Sequence, residues 1–265
     1  METLHIGVFD SGVGGLTVLK ELNHLLPSAS YTYFGDCARC PYGSKSASTV
    51  IRYSLENAQF LLTQGVQVLV VACNTASSVS LDRLEQTLSI PVIGTIKPTI
   101  EKIAQVTTKK RIGVIATRGT VRSQAFQREI AKRLPEAEVF ATACPLFVPL
   151  VEERVTHPLI IRMIIKESLA PLKKKGIDTL VLGCTHYPIL ESYIREEMGP
   201  DIAIINPGKA CAEELHALKR DLPTTTAQEH SEQYRFFVSD DPKRFKSTGE
   251  AFLGFALKRV LLCSL

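Results

Sequence analysis

The chain has 265 residues, of which 45% are hydrophobic and 22% charged, a balance typical of a globular protein and not of a disordered or fibrous one. Its formal net charge of +4 comes from dispersed basic residues, so a clustered nucleic-acid-binding surface is not expected. Seven irregularly spaced cysteines, the absence of a signal peptide and the absence of a long apolar run predict a cytoplasmic protein with reduced thiols and no membrane contact.

Strand and helix patterns alternate along the whole chain. Strands are predicted at 4–9, 31–35, 66–72, 91–94, 111–116, 137–143, 178–183, 202–205 and 234–239. Helices are predicted at 14–26, 46–64, 76–88, 98–106, 121–134, 158–175, 188–198, 208–220 and 242–262, with a polar loop through His230. Such alternation is typical of βαβ units and therefore of parallel sheets.

The second half of the sequence resembles the first. The strand-and-turn segment 6–15 has a counterpart at 112–121, and Cys73, which ends a predicted strand, has a counterpart at Cys184 at a nearly equal separation. We therefore predict an α/β protein with two pseudo-symmetric parallel-sheet lobes and the active site between them. The first lobe would comprise 1–96 and 207–265, and the second 97–206.

A glycine-rich turn, 10–15, follows the first predicted strand and opens a helix. Its glycines allow a close approach to a ligand, and helix N-terminal N–H groups favour an anion. The segment does not match G-x-G-x-x-G and lacks the lysine of a phosphate-binding loop, which disfavours a nucleotide. A small carboxylate ligand suits this turn better.

Two cysteines end predicted buried strands and are followed by polar residues, in the segments 73–75 and 184–186. Ligand crevices of open α/β sheets lie beyond the carboxyl ends of the strands, so both thiols are expected to face a crevice. A single buried cysteine is often only a small core residue. Two at duplicated positions predict an acid and a base on opposite sides of one substrate atom.

Other thiol chemistry fits the sequence less well. A Cys–His hydrolase needs one thiol and a separate imidazole, which leaves the second equivalent thiol without a role. Cys37 and Cys40 have the C-x-x-C spacing, but Pro41 and Gly43 follow at once and indicate a loop, not the helix of a dithiol oxidoreductase. No second cysteine pair stands at a zinc-binding interval, so no metal site is predicted.

Three carboxylates are candidate helpers, although most carboxylates are simply surface residues. Asp36 ends a predicted strand. Glu152 and Glu153 follow an apolar, non-periodic stretch that contains Pro145 and Pro149. This stretch is expected to be a fixed loop that lines a pocket.

Six segments, in order along the chain, share the pattern of one known family. They are 9–16, 33–36, 41–43, 72–76, 144–152 and 183–188. Together they resemble the glutamate racemases, which belong to the cofactor-independent amino-acid racemases, and the similarity covers nearly the whole chain. The resemblance implies that glutamate binds between the lobes, that L- and D-glutamate are interconverted without a cofactor for peptidoglycan synthesis, and that the protein is a homodimer.

The resemblance also assigns roles to individual residues. Cys73 would be the base for D-glutamate and Cys184 the base for L-glutamate, with assistance from Asp10, Glu152 and His186. The residues that would bind the substrate are Asp10, Ser11, Tyr42, Gly43, Asn74, Thr75, Thr185 and His186. The sequence departs from the family pattern at Cys37, Cys40, Lys97 and Asn206.

The chemistry is consistent with this assignment. The α-hydrogen of an amino acid is a very weak acid, so its removal needs a desolvated thiolate in contact with it and stabilisation of the carbanion-like state. Free cysteine titrates near ~8.5, so its environment must bring one thiol to the thiolate form. Two other functions stay open: an aspartate or broad-specificity racemase, and a low-activity relative that binds DNA gyrase, a partner that the sequence itself does not support.

Overall fold

The computed structural model describes residues 2–222, 225–226 and 232–265. The predicted polar loop through His230 lies largely outside these residues. The strands are β1 (Glu2–Thr3), β2 (His5–Asp10), β3 (Ser30–Gly35), β4 (Val68–Val71), β5 (Val92–Gly94), β6 (Arg111–Ala116), β7 (Glu138–Ala143), β8 (Thr179–Gly183), β9 (Ala203–Ile205), β10 (Thr225–Thr226), β11 (Tyr234–Val238) and β12 (Val260–Leu262).

The helices connect successive strands of the two larger sheets, as the predicted βαβ units require. They are α1 (Leu16–Leu25), α2 (Ala47–Thr63), α3 (Asn74–Thr87), α4 (Ile96–Val106), α5 (Arg118–Ser123), α6 (Ala125–Arg133), α7 (Phe147–Glu152), α8 (Pro158–Lys173), α9 (Glu191–Met198), α10 (Pro207–Leu218) and α11 (Pro242–Leu253). Among the described residues, no helix combines the length and the apolar character needed to cross a membrane.

The two larger sheets are entirely parallel, and the four strands β3-β2-β4-β5 of the first have the same order of connections as the four strands of the second. The first has the order β12-β11-β3-β2-β4-β5 and the second β7-β6-β8-β9, so β4 and β8 occupy equivalent places. All four residues of β4 and all five of β8 are buried, as expected for central strands covered by helices on both faces. The prediction of two similar parallel-sheet lobes is confirmed.

The chain after β9 returns to the first sheet. Strand β11 pairs with β3, and β12 pairs with β11. Helix α10 contacts both α1 and α4, and α11 contacts α1. The predicted boundaries of the two lobes, 1–96 with 207–265 and 97–206, stay a prediction.

Three predicted elements differ from the structure, each for a local reason. The last predicted helix ends at Leu253, because Gly254 adopts φ 79, and residues 260–262 form an edge strand instead. The predicted helix 121–134 is two helices, since Gln124 has φ 55 between them. The expected loop before Glu152 contains the short helix α7, whose Pro149 lies in the first turn, where proline is tolerated.

Two departures from the family pattern have structural partners. The side chain of Asn206 accepts a hydrogen bond from Gly208 N at 2.9 Å and caps α10, which has Pro207 in its first turn. Lys97 forms an exposed ion pair with Glu85 at 2.8 Å. Neither contact involves the thiols.

A buried carboxylate connects strands β6 and β8 of the second sheet. Asp178, directly before β8, accepts hydrogen bonds from the Thr107 hydroxyl and from the main-chain N–H groups of Thr108 and Lys109, which precede β6. The main chain of Asp178 itself donates to Arg111 O at 2.9 Å. The Asp178 side chain therefore accepts the hydrogen bonds of the turn that leads into β6.

Replacing Asp178 with Ala should lower the free energy of unfolding by about 1–3 kcal/mol, because the main-chain donors of the turn lose their acceptor. Urea unfolding measures this effect. Asp178→Asn keeps one acceptor oxygen and should lose less. Equal stability of the Ala variant and the parent would contradict the role given to this carboxylate.

Candidate active site

A cavity of about 540 Å³ lies at the carboxyl ends of both sheets. The first lobe supplies its Ser11, Cys73 and Asn74, and the second lobe its Thr117, Glu152 and Cys184. Both thiols that the sequence singled out therefore line one cavity from opposite lobes. This is the arrangement that parallel sheets with ligand sites at their carboxyl ends predict.

Cys73 lies between the end of β4 and the first turn of α3, and only 5% of its surface is exposed. Burial, together with the nearby negative charge of Asp10, raises the pKa of its thiol to about 12. Hydrogen bonds from the Ala76 main chain and the Ser11 side chain oppose this rise. Cys73 is therefore a neutral thiol near neutral pH, in position to donate a proton.

Cys184 has a different partner. Its Sγ lies 3.8 Å from His186 Nδ1, and His186 Nε2 lies 2.8 Å from Glu152 Oε1. Burial by itself lowers the pKa of His186, but its hydrogen bonds to Cys184 and Glu152 raise the pKa to about 10. The imidazole is therefore a cation near neutral pH, and both ring nitrogens donate, one of them towards Cys184.

The two carboxylates beside the thiols have opposite pKa shifts. The hydrogen bond from His186 lowers the pKa of Glu152. Asp10 is fully buried, and its burial raises its pKa, although the nearby His186 cation opposes this. Asp10 does not line the cavity: its Oδ2 accepts from Gly12 N at 3.0 Å, and the Thr185 hydroxyl lies 3.5 Å from its Oδ1. Asp10 therefore stabilises the glycine-rich turn through the hydrogen bond from Gly12.

The other residues that the resemblance assigns to the site line the cavity. These are Ser11, Tyr42, Gly43, Cys73, Asn74, Thr75, Glu152, Cys184, Thr185 and His186. The structure brings them together, whereas their catalytic and binding roles stay predictions at this point.

Asp36, a candidate helper in the sequence, is not among the residues that line the cavity. Its carboxylate accepts hydrogen bonds from the Tyr42 hydroxyl, from Arg39 Nε at 2.7 Å and from the Ser239 hydroxyl at 3.0 Å. Asn57 Nδ2 also donates to the Tyr42 hydroxyl at 3.0 Å. Asp36 thus fixes the loop that forms one wall of the cavity.

Cys37 and Cys40 lie in this same loop and line the cavity. Both are unpaired thiols, and burial raises the pKa of Cys37 to about 12 and that of Cys40 further. Within residues 2–222, 225–226 and 232–265, no three or more His, Cys, Asp or Glu side chains are grouped so as to hold a metal ion. Protonated, partly buried thiols of this kind fit the expected packing role.

Sequence reasoning missed Thr117 and Thr120 of the second lobe, whose hydroxyls cluster with that of Thr75 from the first lobe. Thr75 Oγ1 lies 2.9 Å from Thr117 Oγ1 and 3.1 Å from Thr120 Oγ1, and the last two hydroxyls are 3.1 Å apart. Thr117 also caps α5 through Thr120 N. The one available signal was the helix cap in the sequence 117–120, which predicts a helix start but no ligand.

Known proteins are similar to this chain in both sequence and fold. A family model described as Asp/Glu/hydantoin racemase matches residues 6–215. The chain belongs to this racemase family. The glutamate racemase of Geobacter metallireducens is 47% identical over 260 residues, which cover 98% of this chain and 96% of that relative. The resemblance found in six sequence segments is thereby confirmed, and the chain is an amino-acid racemase, an isomerase.

Solved members of the family have the same architecture over nearly their whole length. A glutamate racemase isoform from Bacillus anthracis superposes with a TM-score of 0.92 at 39% identity, covering 99% of this chain and 98% of that one. The glutamate racemase of Francisella tularensis, solved in complex with D-glutamate, gives a TM-score of 0.90 at 38% identity with the same coverage. Two parallel-sheet lobes are therefore the fold of this racemase family.

The raised pKa of His186 predicts a pH-dependent contribution to stability. An unfolded histidine titrates near ~6.5, whereas folded His186 titrates at about 10, so its contribution is complete below the first value and is lost as the pH rises through the second. A thiolate at Cys184 would release the proton that His186 takes up, so the test uses Cys184→Ser, in which Glu152 still contacts the imidazole. Urea unfolding between about pH 6.5 and 8 should show Cys184→Ser losing on the order of 1 kcal/mol more than Cys184→Ser combined with His186→Asn. Equal slopes for the two proteins would contradict a cationic His186.

Proposed function

We propose that this chain is a glutamate racemase in which Cys73 and Cys184 exchange protons with Cα from opposite faces. One observation carries the proposal: two thiols at equivalent strand ends line one cavity, and a cationic imidazole supports only one of them. The Geobacter metallireducens relative and the Francisella tularensis complex support glutamate as the substrate. The opposed thiols support a two-base exchange at Cα.

The different surroundings of the two thiols determine which thiol holds a proton before the reaction. A thiolate at Cys184 is stabilised by the His186 cation, while Cys73 holds its proton. In one direction, Cys184 takes the α-proton of L-glutamate, the electron pair of the C–H bond stays on Cα, and Cys73 delivers its proton to the opposite face. The products are D-glutamate, a thiol at Cys184 and a thiolate at Cys73. The reverse reaction uses the same steps.

The buried carboxyl of Asp10 fits the needs of the second thiolate. Burial raises the pKa of Asp10, so that Asp10 can take up a proton and remove the negative charge that opposes a thiolate at Cys73. Beside Cys184 the carboxyl group has the opposite shift: the pKa of Glu152 is lowered, and its carboxylate keeps His186 protonated. We therefore assign Asp10 to the Cys73 face, and Glu152 and His186 to the Cys184 face.

The charged groups of glutamate have matching donors and acceptors in the cavity. Thr95 Oγ1 donates to Asn74 Oδ1 at 3.1 Å, which leaves the Asn74 NH₂ group for the ligand. We assign the amino and α-carboxylate groups to Ser11, Asn74 and Thr185, with the main chain of Tyr42 and Gly43. The hydroxyls of Thr75 and Thr117, which line the cavity, suit the second carboxylate, since each can donate a hydrogen bond, and Thr120 holds both hydroxyls in place.

The homodimer and the supply of D-glutamate to peptidoglycan follow from the family resemblance, and the cytoplasmic location follows from the sequence composition; all three stay part of this proposal. The comparison of glutamate with aspartate separates the proposal from a broad-specificity racemase. Formation of D-glutamate from pure L-glutamate without an added cofactor is the direct test. Equal turnover of aspartate would favour the broad-specificity alternative.

Cys73→Ser and Cys184→Ser should each reduce racemisation by at least about a thousandfold, because each lacks one of the two bases. In D₂O, Cys73→Ser should still exchange the α-hydrogen of L-glutamate, and Cys184→Ser that of D-glutamate, in both cases with retained configuration. Proton NMR and circular dichroism follow exchange and racemisation separately. Cys263→Ser, at a cysteine outside the cavity, is the control, and unchanged racemisation in both test variants would show that the thiols are not the bases.

Thr117→Val should raise KM for glutamate about tenfold with little change in kcat, since one hydrogen bond to a charged group is worth roughly 1.5 kcal/mol or more. Thr117→Ser keeps the hydroxyl and the helix cap and should behave like the parent. Steady-state kinetics in both directions measure the effect. A loss confined to kcat would place Thr117 away from the bound carboxylate.

A further inference from the structure

The end of helix α7 is bonded to helix α11 of the other lobe, directly beside the carboxylate that contacts His186. Glu152 is the last residue of α7, and the two residues after it both contact α11. Glu153 Oε1 lies 3.0 Å from Arg244 Nη2. Arg154 Nη2 donates to the main-chain oxygen of Ser247 and lies 3.2 Å from its hydroxyl. We call Glu153, Arg154, Arg244 and Ser247 the α7–α11 contact.

Arg154 occupies a backbone position that glycine would adopt more easily. Its φ is 51, in the left-handed region. Its N–H donates to Val151 O, and the next N–H, of Val155, donates to Leu150 O, which are the two bonds of a Schellman helix ending. A side chain in this region costs roughly 1 kcal/mol relative to glycine. Arginine is thus disfavoured by the backbone, and its guanidinium contact with Ser247 offsets that cost.

Helix α11 also covers the imidazole that Glu152 contacts. The ring of Phe252, in α11, meets the His186 ring edge-on with centroids 6.1 Å apart. Phe245 and Thr248 of the same helix line the cavity. His186 is therefore enclosed by α11 on one side and by the end of α7 on the other, so a displacement between these helices changes the 2.8 Å contact of Glu152 with His186.

We propose that Glu153 and Arg154 are positioning residues that hold Glu152 against His186 by fixing the end of α7 to α11. The exposed Glu153–Arg244 pair contributes little by itself, so Arg154 carries most of this effect. The kinetic consequence rests on the proposed function: a loosely held Glu152 weakens the imidazolium beside Cys184. Proton removal by Cys184 should then slow more than proton removal by Cys73.

Arg154→Gly separates positioning from stability, because it relieves the backbone and removes only the contact. We expect a melting temperature at or above that of the parent and kcat/KM lower by about three- to tenfold in both directions, because the two enantiomers have equal free energies and their kcat/KM values must stay equal. The α-deuterium isotope effect on kcat/KM should increase for L-glutamate and not for D-glutamate. Arg154→Lys keeps the charge but offers a single nitrogen, so its effect should be intermediate.

Gln124→Gly is the matched control, since Gln124 has φ 55 at the end of α5 and takes no part in the α7–α11 contact. It should keep the kinetics of the parent. Equal isotope effects in Arg154→Gly and Gln124→Gly would overturn the proposal. A lower melting temperature with isotope effects that increase equally for both enantiomers would show a merely structural contact and would overturn it as well.

One readout does not depend on turnover. The groups that face His186 are Cys184, Glu152 and the more distant Asp10, so the pKa of its imidazole reports how closely Glu152 is held. NMR titration should give a lower His186 pKa in Arg154→Gly than in Gln124→Gly. A parent that does not racemise glutamate would refute the proposed function, whereas an unchanged His186 pKa would refute the positioning role by itself.

Discussion

The carboxyl ends of two parallel sheets meet at one cavity, and the other features of the site depend on this constraint. Because β4 and β8 hold equivalent places in their sheets, the residues that follow them approach the cavity from opposite sides. Cys73 and Cys184 are those residues. A parallel strand must be followed by a crossover, so each thiol is also followed by a helical turn whose N–H groups favour negative charge.

The symmetry of the backbone does not extend to the electrostatics. A buried imidazolium lies between Cys184 and Glu152, whereas Cys73 has a buried carboxyl, Asp10, in its vicinity. Burial would leave His186 neutral, and only its two hydrogen-bonded partners reverse this. The cation is thus created by the fold, and the fold must keep Glu152 close for the cation to persist. That requirement gives the residues after Glu152 their significance.

The sequence predicted those parts of the site that follow from strand periodicity. Cys73 and Cys184 could be placed at strand ends because apolar runs of the same type precede them, and the resemblance supplied their polar neighbours. The sequence could not predict the position of Thr117 and Thr120 beside the cavity, because a threonine in a helix cap gives no indication of a ligand until folding brings Thr75 beside it. The sequence could not show the direction of the Asp36 carboxylate for a related reason: its place at the end of a strand follows from local pattern, whereas Arg39 and Tyr42 determine where the side chain points.

The sequence by itself determined the two parallel sheets, the duplication that relates them and the two thiols at their equivalent ends, because each of these is written in local periodicity and spacing. The tertiary structure alone decided which thiol is supported by a cation, where residues 260–262 pair and how the end of α7 is held. These depend on contacts between residues far apart in the chain, such as Glu152 with His186 and Arg154 with Ser247. Side-chain ionisation and helix endings of this kind respond to burial and to partners, and neither is visible until the chain has folded.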